Sequence, residues 1–346
     1  MKLLKITFII ASLFCIACES LLIGEDPVDS PETNFEMLWQ EFDRWYAGFI
    51  VRNIDWDSLY TVYRPQVTPQ TPSAELWNVV TEMLNHLDDL HTEVEDPDKG
   101  LVFNAYLKPP YPFEFDLDLI KENYLNNRYQ FAGEDRLLYG QLADQIGYIY
   151  IFSFEGKTSG FNPPEWTDDI NQIISQFENL EGLIIDLRQG YGGKDAAARR
   201  IAGAFADTKR LVFTVQTRNG PKHDDFDEPT KWYVEPQGPH QFTKPIVLIT
   251  DYLTPSAAEA FSLFMVSLPH VTHIGDSTAG AFSAQSNDRY LPNGWVYRMS
   301  HQLTKTPDGR SPEGIGVVPD ILISNTEADI RAGTDKVLEF AIDYLN

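Results

Sequence analysis

From residue 147 onward, short apolar runs alternate with segments whose apolar residues recur at helical spacing. Residues 147–153, 183–188 and 245–250 have the composition and length of buried strands, whereas residues 170–177 and 196–205 have the period of helices packed on one face. Two parallel strands need a crossover between them, which is usually a helix. The alternation therefore predicts an α/β fold with a mainly parallel sheet that is covered by helices on its faces.

The part of the chain before this sheet is predicted to be helical. A first helix is capped by Asn34, a second short helix begins at Asp55, and a third extends from Ser73 to about Leu90. Three helices with short connections form a small bundle. A closing amphipathic helix is predicted over residues 326–345. We therefore divide the chain into a signal segment at residues 1–18, a tether at 19–33, a helical domain at 34–98, a linker at 99–140 and an α/β core at 141–346.

The N-terminal segment has the pattern of an export signal. Lys2 and Lys5 precede an apolar stretch, residues 6–17, that is too short to span a bilayer comfortably. The stretch ends in Ala17 followed by Cys18, which resembles the lipobox of bacterial lipoproteins. The resemblance implies that Cys18 is lipidated, and that the exported protein is anchored to the outer membrane or cell surface, on the periplasmic side or the exterior. An ordinary secretory signal is the alternative.

The composition argues against several classes of partner and site. A formal net charge of −24 disfavours nucleic acid and anionic lipid as partners, because both are negatively charged. Both cysteines lie in the signal segment, so the remaining chain has no disulfide, thiolate nucleophile or cysteine metal site. The acidic run at 93–98 lacks the ligand spacing of a calcium loop and is predicted to be a solvated turn. We therefore predict no metal and no cofactor, and contact with the membrane only through the lipid anchor.

A serine lies at the corner between the strand at 245–250 and the helix that follows it. Such a corner holds a hydroxyl above the carboxyl edge of the sheet, beside helix amides that stabilise an oxyanion. Ser256 and Glu259 also fit a capping box, in which the serine closes its own helix. Pro255 argues against that box, because proline favours the first helical position and would make Thr254 the cap. Ser256 is therefore either a candidate nucleophile or a structural serine.

A second strand end also carries unusual sequence. The strand that ends near Asp186 leads into Gly190, Gly192 and Gly193 before a helix begins, and glycines there let a ligand approach the backbone. Their spacing is not that of a dinucleotide-binding fingerprint. A plain glycine-rich turn is the alternative.

A serine nucleophile needs a base, which is usually a histidine. Spacing alone does not choose among the histidines of the chain, which are His86, His91, His223, His240, His270, His273 and His301. His91 is predicted to lie at the end of the third helix, where a histidine is commonly a favourable C-terminal cation.

Together these features resemble the tricorn-core and C-terminal-processing, or tail-specific, serine peptidases. The similarity extends over nearly the whole mature chain. Its motifs occur in the family's order and are Leu87-x-Asp89-x-His91-Thr92, Ile185-Asp186-Leu187-Arg188 followed by the glycines, Ser256-Ala257-x-Glu259, Ile274-Gly275 and Glu313-x-x-Gly316-x-x-Pro319-Asp320. The resemblance implies a crotonase- and ClpP-like α/β core preceded by a cap domain, so the three predicted helices are expected to form that cap.

The resemblance also implies a mechanism. The C-terminal-processing branch pairs its serine with a lysine 25 positions later, but that position in this chain is Ala281, so the chain resembles the tricorn-like branch. There the base is a histidine of the cap domain, and a carboxylate orients it directly or through a second polar side chain. The matching residues are Ser256 as nucleophile, His91 as base, Glu313 as orienting carboxylate, and the amides of Gly192 and Ala257 as the oxyanion hole.

The implied substrate is a peptide or protein, which is cleaved through an acyl-enzyme. Many members carry a PDZ module between cap and core. In this chain about 45 residues separate Val94 from Tyr139, too few for such a domain. A non-catalytic protein that binds lipid or peptide on the same fold is the alternative.

Overall fold

The computed structural model describes residues 27–106, 113–143, 145–157 and 162–346. The predicted signal segment, Cys18 and most of the tether lie outside these residues, so export and lipidation stay predictions. Within the described ranges, no helix is both long and apolar enough to cross a membrane.

Helices dominate the N-terminal part of the protein, and strands alternate with helices after it. The α-helices are α1 (Pro31–Trp45), α2 (Trp56–Tyr63), α3 (Ser73–Asn85), α4 (Ile170–Phe177), α5 (Asp195–Ala202), α6 (Ala257–Val266), α7 (Glu327–Arg331) and α8 (Lys336–Leu345). Shorter helical turns lie at Arg64–Gln66, Leu117–Leu119, Ile120–Tyr124 and Glu165–Asp169. The strands are β1 (Asp89–Asp96), β2 (Leu101–Ala105), β3 (Tyr129–Ala132), β4 (Leu137–Ala143), β5 (Ile146–Ile151), β6 (Ser153–Phe154), β7 (Gly182–Asp186), β8 (Tyr191–Gly193), β9 (Arg210–Thr217), β10 (Thr230–Val234), β11 (Ile246–Thr250), β12 (Val271–Gly275), β13 (Arg289–Tyr290), β14 (Val296–Arg298), β15 (Gln302–Lys305) and β16 (Ile321–Leu322).

A seven-stranded sheet forms the centre of the core domain, in the order β16-β12-β11-β7-β5-β4-β3. The strands from β16 to β5 run parallel, and β4 and β3 continue the sheet antiparallel. Alternate residues of a strand point to opposite faces. Ile185 therefore packs in the core formed with α4, α5 and α6, whereas its neighbour Ile184 packs in the core under α8. The predicted mainly parallel sheet with helices on both faces is confirmed.

The N-terminal helices pack with a small sheet that the sequence patterns did not predict. Its four antiparallel strands have the order β13-β14-β1-β2. The core that they share with the helices contains Phe35 of α1, Met83 of α3 and Tyr297 of β14. Glu93 of β1 pairs with Arg298 of β14, a residue far along the chain. The cap thus has its three predicted helices, but part of it comes from the second half of the sequence.

Several boundaries in the cap differ from the predictions. The first helix begins at Pro31 and is capped by the Ser30 hydroxyl, and Asn34 lies in its first turn. The third helix ends at Asn85, so His91 lies on β1 and not at a helix end. The acidic run at 93–98 is mostly strand rather than solvated turn, because β1 extends to residue 96 and the Arg298 guanidinium pairs with its glutamates.

Two later segments also differ. The segment predicted as a linker, residues 99–140, contributes β2 to the cap sheet and β3 and β4 to the central sheet. β2 and β3 are short and partly exposed, and the apolar run of β4 is only three residues long before Gly140 interrupts it. The closing helix predicted over 326–345 is divided into α7 and α8, because Gly333 has a φ of 82° and Asp335 caps a new helix.

Arg188, just after β7, joins the central sheet to the last helix. Its guanidinium lies 2.6 Å from the carboxylate of Asp186 and 2.9 Å from that of Asp335, the cap residue of α8. All three side chains are buried. Removal of the cation would leave two buried carboxylates without compensation, and such a loss is strongly destabilising.

We expect Arg188→Met to lower the free energy of unfolding by about 3–5 kcal/mol, measured by urea denaturation. Arg331→Met is the matched control. Arg331 is largely exposed and pairs with Glu327 on the surface of α7, so its loss is expected to leave the free energy of unfolding nearly unchanged. Equal losses in the two variants would contradict a structural role for the buried cation.

Candidate active site

Ser256 occupies the sharp turn between β11 and α6. It is the N-cap residue of α6, with a φ of 58° and a ψ of −125°. Non-glycine residues rarely adopt this conformation, which costs about 1–3 kcal/mol and is found mainly at functional sites. The alternative with Thr254 as cap is wrong, because α6 begins at Ala257 and the Thr254 hydroxyl donates to the Leu187 carbonyl at 3.1 Å. A strained strand-to-helix turn is a known way to hold a serine hydroxyl above a sheet.

The Glu259 carboxylate holds this turn in place. It is fully buried and accepts four hydrogen bonds, from the amides of Ser256 (2.9 Å), Gly280 (2.6 Å) and Ala281 (2.8 Å) and from the hydroxyl of Thr278 (2.6 Å). Burial raises the pKa of Glu259 to about 7, although these donors act to lower it. The bond to the Ser256 amide is one half of the capping box that the sequence left open as an alternative. Ala281, where the C-terminal-processing branch carries its lysine, is a buried part of this same cluster.

The glycine-rich loop contacts Ser256 through its backbone. A Cβ added to Gly192 would lie 2.6 Å from the Cβ and 3.0 Å from the Oγ of Ser256, so any side chain there would collide with the serine. Gly193 has a φ of 143°, and a Cβ there would collide with the backbone of Phe154. These glycines therefore bring the main chain of Gly192 against Ser256. The amide of Ala257 follows Ser256 at the start of α6.

His91 and Ser256 line the same cavity, which has a volume of about 520 Å³. Its lining residues are His91, Glu155, Gly193, Lys194, Asp195, Ala196, Trp232, Ser256, Phe282, Ser283, Ala284 and Gln285. His91 comes from the cap strand β1, whereas Ser256 comes from the core. The fold thus brings together two side chains that are 165 positions apart in the sequence.

The surroundings of His91 keep its imidazole neutral. Burial lowers its pKa, and the negative charge of Asp89 opposes that effect. Asp89 also accepts a hydrogen bond from the His91 amide at 2.9 Å, while the Gln285 side chain donates to the His91 carbonyl at 3.3 Å. The Nδ1 atom is buried without a hydrogen bond of normal geometry to any described residue, and the nearby main chain of Ser283 acts to raise its pKa.

Glu313 lies behind the cavity wall rather than in it. It is buried, and it accepts hydrogen bonds from Arg52 at 2.6 Å and from the amides of Phe282 at 3.0 Å and Ser283 at 2.8 Å. Burial raises the pKa of Glu313, and the charge of Arg52 opposes that rise. Among the described residues, Glu313 makes no hydrogen bond to His91. The direct contact allowed by the resemblance is therefore not seen, and Glu313 instead binds the amides of residues 282–283, which line the cavity with His91.

Several residues of the site were not predicted from the sequence. Arg52 donates to Glu313 and to the Gly280 carbonyl at 3.2 Å, and its Nε lies 4.0 Å from the carboxylate of Asp89. It lies between α1 and α2, and no spacing singles it out. Asp195 was also missed, although it follows Gly192 closely enough for the sequence to have indicated it.

Family models match both parts of the chain. The model of peptidase family S41 matches residues 145–323, and the model of the tricorn protease C1 domain matches residues 27–85. A solved structure from Parabacteroides merdae, described as that of a peptidase, is 31% identical with a TM-score of 0.82, and the match covers 92% of this chain and 97% of that chain. The structure of mature CPAF complexed with lactacystin is similar in fold, with 13% identity, a TM-score of 0.67, and 91% and 97% of the two chains covered.

A curated relative is longer than this chain. The carboxy-terminal-processing protease of Bartonella bacilliformis is 28% identical over 196 residues, which are 56% of this chain and 42% of that protein. The chain thus spans less than half the length of this relative.

Proposed function

Because the chain belongs to peptidase family S41, we propose that it is a serine peptidase that hydrolyses peptide or protein substrates through an acyl-enzyme. One observation carries the proposal. Ser256, held in a strained turn against the main chain of Gly192, lines the same cavity as His91. A nucleophile, a base and a place for an oxyanion are the minimum that acyl transfer requires.

Ser256 is the proposed nucleophile and His91 the proposed base. The Oγ of Ser256 attacks the carbonyl carbon of the scissile bond while its proton passes to the imidazole of His91. The lowered pKa of His91 supports this role, because a neutral imidazole accepts a proton near pH 7. The imidazolium then gives the proton to the leaving amine as the C–N bond breaks. Water, deprotonated by His91, hydrolyses the resulting Ser256 ester and restores both residues.

The amides of Gly192 and Ala257 are the proposed donors to the oxyanion. The main chain of Gly192 packs against the Ser256 side chain, and Ala257 is the first residue of α6. The first amides of a helix have no partner within the helix, and the helix dipole favours negative charge there. A single donor of this kind contributes about 10²–10³-fold to kcat.

Glu313 is proposed to orient His91 indirectly. It binds the amides of Phe282 and Ser283, and both residues line the cavity with His91. Asp89 holds the main chain of His91 from the other side. Arg52 lies between the carboxylates of Glu313 and Asp89 and so connects the core to the cap strand that carries the base.

Labelling with a fluorophosphonate tests the proposal. We expect one covalent adduct, located on Ser256 by mass spectrometry and absent from Ser256→Ala. Ser262→Ala is the matched control, because the Ser262 hydroxyl is buried in α6 and donates to the Ala258 carbonyl at 2.8 Å. It is expected to be labelled like the unchanged protein. A folded protein that forms no adduct at Ser256 would instead favour the non-catalytic binding of peptide or lipid.

A further inference from the structure

The cavity beside Ser256 carries two carboxylates that the proposed mechanism does not use. Glu155 follows β6, and Asp195 is the first residue of α5. Asp195 is three residues after Gly192, and three residues of chain span at most about 11 Å. Gly192 in turn contacts Ser256. Asp195 is therefore within reach of a side chain that adjoins a bond held at Ser256.

The Asp195 carboxylate has no protein partner in the part of the chain that the structure describes. Burial raises its pKa to about 6, opposed by the charge of Lys194, and no hydrogen bond contributes. The amides of Ala197 and Ala198, in the first turn of α5, donate to the Lys194 carbonyl instead. The residue is only partly buried, and its carboxylate is open to the cavity that it lines. Water or a ligand in the cavity therefore supplies the donors that the protein does not.

The helix position of Asp195 does not account for this arrangement. An aspartate in the first turn of a helix is stabilised by the helix dipole wherever its side chain points. The dipole therefore does not explain why the carboxylate lines the cavity beside Ser256.

The other walls of the cavity suit a cation on a long apolar stem. Trp232 and Phe282 supply aromatic surface on which such a stem can pack. Glu155 adds a second, exposed carboxylate. Lys194 also lines the cavity, but it is exposed and forms no ion pair within 4.0 Å of a described carboxylate. Its ammonium group can therefore stay in solvent.

We propose that this cavity is a subsite for a positively charged side chain, lysine or arginine, of the peptide substrate, and that Asp195 pairs with that charge. An arginine offers two parallel donors to a carboxylate, which makes the pair both strong and specific. An acidic side chain would be repelled by Asp195 and Glu155. This substrate class rests on the proposed peptidase function of Ser256, whereas the binding preference itself does not.

Peptide binding to Ser256→Ala tests the subsite without depending on catalysis. Two peptides that differ only in arginine or its neutral isostere citrulline are titrated by calorimetry. The arginine peptide is expected to bind about tenfold more tightly or better, as for a charge-assisted pair. Adding Asp195→Asn should bring the ratio of the two dissociation constants towards one. Adding Asp343→Asn, on the exposed side of α8, should leave the ratio unchanged. Equal affinities, or no binding of either peptide, would overturn the subsite.

Hydrolysis by the unchanged protein separates this subsite from the proposed function. The kcat/KM values of matched arginine, citrulline and glutamate peptides are compared, with the arginine peptide expected to lead the citrulline peptide by about tenfold or more. Cleavage without that preference would overturn the subsite and leave the peptidase. If no peptide is cleaved and Ser256 is not labelled, the peptidase is wrong and the calorimetric ratio alone decides the subsite. Asp195→Lys should reverse the order of the arginine and glutamate peptides, a result that a folding defect does not produce.

Discussion

Replacing His91 with alanine is expected to lower kcat for peptide hydrolysis by about 10⁴-fold or more, as the loss of a base does in a site where nucleophile and base act together. His91 is the one histidine among the described residues that line the Ser256 cavity. Without it, no other imidazole among the described residues lines the cavity to accept the Ser256 proton. The measurement is kcat and KM for one fluorogenic peptide, with circular dichroism to show that the variant is folded.

His301→Ala is the matched control for this experiment. His301 is partly buried near the same segment, and its Nδ1 lies 2.8 Å from the carbonyl of Ala284, a cavity residue. Its ring does not line the cavity, so we expect kcat to change by less than about threefold, since side chains outside the reacting geometry contribute little to the chemical step. A large loss in His301→Ala together with a small loss in His91→Ala would assign the base to His301.

The position of His91 shows where sequence reasoning failed. The apolar spacing of the third helix extends to Leu90, and this pattern predicted that His91 closes the helix. In the structure the chain leaves the helix at Asn85 and becomes β1, because Val94 finds a strand partner in Tyr297. Because these two residues are far apart in the sequence, the local spacing of apolar residues does not indicate that they pair. The motif around His91 indicated its importance, but not the strand that places it in the cavity.

Ser256 shows what local patterns do predict. The apolar run of β11 and the helical period of α6 fix a corner at this residue, and the corner is present. The sequence left two interpretations open, a capping box with Glu259 or a free hydroxyl. The structure shows that part of the box and the strained turn exist together, because Glu259 binds the amide of Ser256 while φ is positive. The sequence could not choose between the two interpretations, because the choice depends on the backbone angles of Ser256.

The sequence also did not predict the contact between cap and core. Arg52 comes from a connection between two cap helices, and its partner Glu313 comes from the closing motif of the core. No residue near Arg52 or Glu313 in the sequence indicates that the two side chains pair. The base and the nucleophile sit on different parts of the fold, so their alignment depends on such contacts. A change at this contact is therefore expected to affect catalysis without touching the substrate.

Glu259→Gln is expected to lower kcat by about 10²-fold, because small displacements of a reacting group have effects of that size. The carboxylate accepts from four donors on its two oxygens, and glutamine offers one oxygen and a donor group in their place. Protein donors such as the Ser256 amide would then face the NH2 group of the glutamine, which is itself a donor. The turn that holds Ser256 would shift, and kcat is expected to fall more than KM rises.

The same variant is expected to change how stability depends on pH. Burial raises the pKa of Glu259 to about 7 in the folded protein, above its value of about 4.5 in the unfolded chain. The folded protein therefore holds this proton more tightly, and its stability falls as pH rises from about 4.5 to 7. At about 1.4 kcal/mol per pKa unit, the loss is on the order of 3 kcal/mol. Glutamine does not titrate, so the free energy of unfolding of the unchanged protein, relative to the variant, should fall by that amount across the interval.

Urea denaturation at several pH values measures the difference, and Glu122→Gln, an exposed change, should show no such trend. A difference between wild type and Glu259→Gln that stays constant across the interval would contradict the raised pKa, because it would mean that the four donors fully compensate for the burial of the carboxylate.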